Sequence, residues 1–292
     1  MVSVRDDVVK GRGGPVGVRR YSPESRARRS QTVVWVHGGA FAFGGLDQPE
    51  SHAPAMAIAE SGREVIAVDY RLVPRFNYLR DPKPEKLTGV RFPAPVEDVI
   101  DVFTAVAADA PGGRVILGGA SAGACLVAAA ALHQRRSHGA VPDGLVLAYG
   151  TFHAELPPLS KGLRARIRGR HSFAQFRAST VHRMNLNYAA SSEAMQDPLA
   201  FPGGHDLTGL PRALLLDADR DSLRASGEAF HHELACAKVP VEYVVLPETR
   251  HGFLNRPRTP AFDTGISTIV DWLERNRAGR QKSQIREGGA RP

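Results

Sequence analysis

Short apolar runs alternate with longer helical patterns along this chain, and the alternation predicts its fold. Val33-Val34-Trp35-Val36, Val65-Ile66-Ala67-Val68, Leu145-Val146-Leu147-Ala148 and Leu214-Leu215-Leu216 are nearly continuous hydrophobic stretches. Runs of that kind suit strands buried on both faces, as in a parallel sheet covered by helices. Strands are expected at 32–36, 64–68, 114–117, 144–149, 213–216 and 241–246. A hairpin over 2–20 turns around Gly11-Arg12-Gly13-Gly14. Helical periodicity fills the intervals. Val96, Val99, Ile100, Phe103 and Val106 share one face of a helix over 95–108. An alanine-rich helix begins at Ser121 and fades near Arg135, and another covers 222–238. Phe262, Ile266, Ile269, Val270 and Leu273 line a final amphipathic helix. The rhythm predicts an α/β protein with a mostly parallel eight-stranded sheet flanked by helices.

Two stretches depart from it. Residues 151–210 are polar and rich in Arg, His and Ser, with weak periodicity. They read as an inserted lid on a core formed by 1–150 and 211–278. The polar, glycine-rich end, 279–292, reads as a disordered tail. Residues 71–93 form a proline-containing loop.

Composition narrows the function. The chain has 292 residues, 42% of them hydrophobic, enough for a large core. It has no apolar run long enough to span a membrane, and Met1 to Asp7 carries no apolar stretch of a secretory signal. Cys125 and Cys236 are too few for a disulfide framework and lack metal-type spacing. A cytoplasmic setting is the expectation. The net charge is +8, and arginines gather at 26–29, 161–170 and 275–291. These clusters do not interleave with aromatics as in a single-strand binder, so nucleic acid is not expected as a partner.

The chemistry lies at the strand ends. Gly119-Ala120-Ser121-Ala122-Gly123 follows a strand and opens a helix, the context of a nucleophile elbow. There the serine sits on a tight turn, and the helix N-terminus favours developing negative charge. A Walker-type phosphate loop would need a lysine after the last glycine, and none follows. His37-Gly38-Gly39-Ala40 ends an earlier strand. Its open backbone suits an oxyanion hole built from Gly38, Gly39 and Ala40 together with Ala122. His37 itself is expected to brace that loop. The base should come last in the chain order, and His251 lies just past the final strand. Asp217, Asp219 and Asp221 all follow the preceding strand, and spacing does not choose between Asp219 and Asp221.

With these motifs together, the chain resembles the hormone-sensitive-lipase-like branch of the α/β-hydrolase esterases. The matching strings are His37-Gly38-Gly39, Asp69-Tyr70-Arg71-Leu72-Val73-Pro74, Phe92-Pro93-Ala94-Pro95, Gly119 to Gly123, Asp197-Pro198-Leu199, Asp221-Ser222-Leu223-Arg224 and His251-Gly252-Phe253. They occur in family order over about residues 30–275. In that family the acid opens a D-P-L-R-like string, which implies Asp221. The resemblance implies a serine carboxylesterase acting on small to medium acyl esters through an acyl-enzyme, without cofactor or metal. The expected partner is a small-molecule ester, and a homodimer stays open. Ala40 stands in place of the loop's third glycine, and Ala120 and Ala124 replace usual elbow residues. His37 comes early in the sequence, so a counterpart of the family's helical N-terminal cap is not expected. With an arginine-rich lid, this suggests a polar or anionic substrate. Amide hydrolysis by the same triad is the alternative reading. A non-catalytic ligand-binding role is a weaker one, since all three triad residues are present.

Overall fold

The computed structural model describes residues 1–24, 31–80, 82, 87–110 and 114–288, apart from the side chains of 174 and 277–288. The arginines at 26, 28 and 29 fall outside the described residues. Eight strands form one sheet: β1 (Val2–Gly11), β2 (Gly14–Pro23), β3 (Thr32–Val36), β4 (Glu64–Asp69), β5 (Val115–Ala120), β6 (Gly144–Ala148), β7 (Ala213–Ala218) and β8 (Val241–Leu246). Their spatial order is β1-β2-β4-β3-β5-β6-β7-β8. The β1–β2 hairpin joins antiparallel at one edge, and every pairing from β4 to β8 is parallel.

The apolar runs are buried on both faces, as their continuity requires. In β3, Val33 and Trp35 join one core with Val65, Ala67, Ile116 and Leu214. Val34 and Val36 point the other way, to Ile66, Val68, Leu117 and Leu145. Strand alternation divides one run between two cores. On the first face lie α1 (Pro49–Glu60) and α7 (Pro260–Gly288), through Ile58, Ile269 and Leu273. On the second lie α2 (Ala94–Asp109), α3 (Ala122–Arg136) and α6 (Arg224–Cys236), through Phe103, Leu126 and Phe230.

α1 has no counterpart in the sequence reading, because its apolar stripe is short and a proline interrupts it. Pro49 occupies the first turn, where a missing N–H costs nothing, but Pro54 lies inside the helix. Proline at 54 leaves the Glu50 carbonyl, four residues back, without its helical donor. The indole N–H of buried Trp35 donates to that carbonyl at 2.9 Å instead.

The segment between β6 and β7 carries two short helices, α4 (Lys161–Arg166) and α5 (Ala178–Ala189), with 3₁₀ turns at Gly169–Ala174 and Ala194–Gln196. α5 packs Val181, Met184 and Tyr188 into the second core. At the other end, α7 continues to Gly288 where the sequence reading expects a disordered tail from 279. Residues 280–287 are mostly good helix formers, which favours continuation. Residues 289–292 lie outside the described residues. No helix among the described residues is long and apolar enough to cross a membrane.

The crossovers locate the site. From β3 the chain passes through α1 to β4 on one side, then through α2 to β5 on the other side of β3. Strand order reverses between β3 and β5. In open α/β sheets, ligands bind at such a switch point, beyond the carboxyl ends of the strands.

Candidate active site

Both glycine motifs stand at that switch point. Ser121 joins β5 to α3 with φ 52° and ψ −120°, a strained backbone for a non-glycine residue. Its flanking glycines are demanded by space. A Cβ on Gly123 would lie 2.2 Å from the Val36 carbonyl oxygen, and one on Gly119 would lie 2.6 Å from that of Gly123. The elbow therefore rests directly on the end of β3.

The loop after β3 has left-handed backbone at three successive residues: Gly39 (φ 120°), Ala40 (φ 53°) and Phe41 (φ 62°). A Cβ at Gly39 would sit 1.9 Å from the Phe43 carbonyl oxygen, so only glycine fits. Phe41 is held by Tyr188 of α5, stacked at 4.0 Å between ring centroids. His37 is fully buried. Its Nδ1 lies 2.6 Å from the Gly38 carbonyl oxygen, and its ring stacks on Tyr70 at 4.5 Å. Burial pushes its pKa down to about 4, so it is neutral, as a bracing residue should be.

Ser121, His251 and Asp221 meet across this loop. His251 Nε2 is 3.0 Å from Ser121 Oγ, and His251 Nδ1 is 2.6 Å from Asp221 Oδ2. Asp221 is buried, and its other oxygen accepts the Leu223 N–H at 3.0 Å. Ser121 is 9% exposed, and the His251 side chain keeps 20% exposure at the cavity wall. Burial alone would lower the His251 pKa. The charge and hydrogen bond of Asp221, with the charges of Glu50 and Asp217, outweigh it and hold the pKa above 6.5. The imidazole is wedged edge-on between Tyr149 at 5.0 Å and Phe176 at 5.1 Å.

The other two aspartates of the cluster have other partners. Asp219 takes a two-pronged contact from Arg166 of α4 and the Glu248 N–H at 3.1 Å. Asp217 accepts the Tyr243 hydroxyl at 3.0 Å.

Among the proposed oxyanion donors, the structure alters one assignment. The Gly38 N–H donates to Glu50 Oε2 at 2.9 Å, so it is already used. The N–H groups of Gly39, Ala40 and Ala122 have no acceptor among the described residues. Sequence reasoning missed Glu50, Tyr149, Phe176 and Asn255, which all surround the triad. The one signal for Glu50 was its place after Pro49, since proline followed by an acid marks a helix start.

The cavity at Ser121 has a volume of about 290 Å³. Phe43, Tyr78, Phe176, Met184 and Leu223 form its apolar wall, and Gln48, Glu50 and Asn255 its polar one. No arginine or lysine lines it among the described residues. Arg166, in the cationic stretch 161–170, pairs with Asp219 and Glu248 instead, and Arg220, in the loop after β7, pairs with Glu248. The expectation of an anionic substrate therefore finds no cation in the cavity to serve it.

The model of the α/β-hydrolase fold family matches residues 33–255. The chain belongs to the α/β-hydrolase family. Within the family, the carboxylesterase NlhH of Mycobacterium tuberculosis is 31% identical over 247 residues, covering 82% of this chain and 72% of its own length. Esterase LipI of the same organism is 28% identical over 86% of this chain and 75% of its own. An esterase of Pyrobaculum calidifontis superposes with a TM-score of 0.76 at 30% identity, covering 92% of this chain and 83% of its own. The resemblance to hormone-sensitive-lipase-like esterases read from the motifs agrees with this α/β-hydrolase grouping.

Proposed function

We propose that this serine carboxylesterase hydrolyses small acyl esters through an acyl-enzyme, with Ser121 as nucleophile, His251 as general base and Asp221 as the acid that orients it. The observation that carries the reading is the continuous hydrogen-bonded path from Ser121 Oγ through His251 to buried Asp221. His251 takes the Ser121 proton as Oγ attacks the carbonyl carbon. The oxyanion accepts N–H bonds from Gly39, Ala40 and Ala122. The tetrahedral intermediate collapses, the acyl–oxygen bond breaks, and the alcohol leaves with the proton from His251. Water then attacks the acyl-enzyme with His251 again as base, and the carboxylic acid departs as Ser121 recovers its proton. The amide alternative is not favoured, since the relatives are named for ester hydrolysis.

A cavity of about 290 Å³ lies at the small end of ligand pockets, which supports short acyl groups. The inserted segment 151–210 acts as the lid, contributing Phe176 and Met184 to the wall. A cytoplasmic setting suits the exposed free thiol of Cys236. The test is hydrolysis of p-nitrophenyl acetate, butyrate and octanoate by wild type and Ser121→Ala. Acetate and butyrate should be turned over faster than octanoate, and Ser121→Ala should lose at least about 1,000-fold in kcat. Substantial turnover by Ser121→Ala would reject the assignment.

A further inference from the structure

Glu50 is a carboxylate buried beside the triad, and its contacts are distinctive. It sits in the first turn of α1 and is 2% exposed. Oε2 accepts the Gly38 N–H at 2.9 Å. Oε1 accepts the Tyr149 hydroxyl at 2.6 Å and the Asn255 amide at 2.8 Å. All three partners donate, which suits an ionised carboxylate that only accepts. A buried charge is costly unless it is paired and hydrogen-bonded, so a site this well furnished implies a use for the charge.

Each partner belongs to a different part of the machinery. Gly38 opens the oxyanion loop. The Tyr149 ring is one of the two that wedge His251. Asn255 lies four residues beyond His251, and its Oδ1 accepts the Glu50 N–H at 3.2 Å. One carboxylate thus joins the oxyanion loop, the imidazole wedge and the histidine loop, and it borders the cavity that Ser121 and His251 share.

We propose that Glu50 is a positioning residue for ester hydrolysis: its buried carboxylate holds the oxyanion loop and the histidine loop together and stabilises the imidazolium that forms when His251 takes the Ser121 proton. The inference rests on the triad reading above. The charged and titratable groups facing His251 are Asp221, Glu50, Asp217 and Tyr149, and all but the phenol are carboxyls. Those facing Glu50 are Tyr149, Tyr70 and His251, so the imidazolium is its cationic counterpart. Burial pushes the Glu50 carboxyl up. The Tyr149 hydroxyl, the His251 charge and the Gly38 N–H oppose that rise.

The test compares wild type, Ser121→Ala, Glu50→Gln, Glu50→Asp and Tyr149→Phe on p-nitrophenyl acetate. In parallel, the His251 ring is titrated by NMR. Glu50→Gln removes the charge at nearly constant shape. It should lower kcat by roughly 10- to 100-fold with KM changed less than about twofold. The acid limb of kcat/KM and the His251 titration should both move down by about half a pH unit or more. Glu50→Asp keeps the charge, so it should return the limb to within about 0.2 unit of wild type while kcat stays low. If Glu50→Gln does not fold, Tyr149→Phe decides. It should lower kcat several-fold with the limb in place, and an unchanged kcat would overturn the proposal. A wild-type limb and titration in folded Glu50→Gln would also overturn it. Turnover by Ser121→Ala would instead overturn the triad reading, and the NMR titration still decides for or against Glu50 in that case.

Discussion

At the residue scale, neighbours decide which of several equivalent side chains can act. Three aspartates crowd the end of β7, and only Asp221 reaches the imidazole. Asp219 is held by Arg166, and Asp217 is buried under Tyr243. A second serine–histidine–acid cluster makes the same point. His153 Nδ1 is 2.8 Å from Ser226 Oγ, and its Nε2 is 3.0 Å from Glu233. Ser226 is 1% exposed and accepts the Phe152 N–H, so it fastens the chain after β6 to α6. Asp217 carries a prediction. Burial, and then the charge of Asp221, push its pKa up to about 8 from an ordinary 3.8, against the Tyr243 hydrogen bond. The folded state then binds a proton that the unfolded chain has lost. The stabilisation from this group is full below about pH 4 and disappears as pH rises through 8. Asp217→Asn keeps a neutral side chain at every pH. Its melting temperature should exceed that of wild type by a wider margin at pH 8 than at pH 5. Equal margins at the two pH values would refute the account.

Packing between elements replaces hydrogen bonds that local sequence forbids. Pro54 deprives the Glu50 carbonyl of its helical donor, and Trp35 of β3 supplies another. The two positions should therefore be coupled. Trp35→Phe orphans that carbonyl in the wild-type background, at a cost of about 1–3 kcal/mol beyond the lost packing. In Pro54→Ala the new N–H takes over, and the cost should shrink by about 1 kcal/mol. Urea unfolding of the four proteins measures the coupling, and purely additive effects would sink the idea. The regular elements were legible because their patterns are long. β3, β4, β6 and β7 read as doubly buried runs, and α2 and α7 as amphipathic stripes. α1 was not legible, since its helix depends on a carbonyl satisfied from 15 residues away. The same helix delivers Glu50 to the site.

For the whole molecule, the question is how the segment 151–210 is held over the core. α5 is anchored by Val181, Met184 and Tyr188 in the second hydrophobic core. α4 is held by buried Leu163 and by the charge contacts of Arg166 with Asp219 and Glu248. Arg166 is 42% exposed, so solvent screens the contact and it contributes little to overall stability. Arg166→Ala should lower the melting temperature by no more than about 4 °C. It should still speed tryptic cleavage at Arg164, Arg168 or Arg170, despite removing one cleavage site, because local opening draws on the weakest contacts. An unchanged digestion rate would show that α4 is held by other contacts.

By itself the sequence determined the layered α/β architecture, the elbow at Ser121, the glycine loop at Gly39 and the position of His251. These are local properties: periodicity sets the strands and helices, and the close approach of backbones at the switch point demands glycine. The resemblance to known esterases, rather than spacing, singled out Asp221. Tertiary structure decided which N–H groups remain free for an oxyanion, that Arg166 turns to Asp219 and Glu248 instead of the cavity, and that Glu50 borders the cavity beside Ser121 and His251. Each depends on which buried polar group finds a partner from a distant part of the chain, and linear spacing carries no record of that.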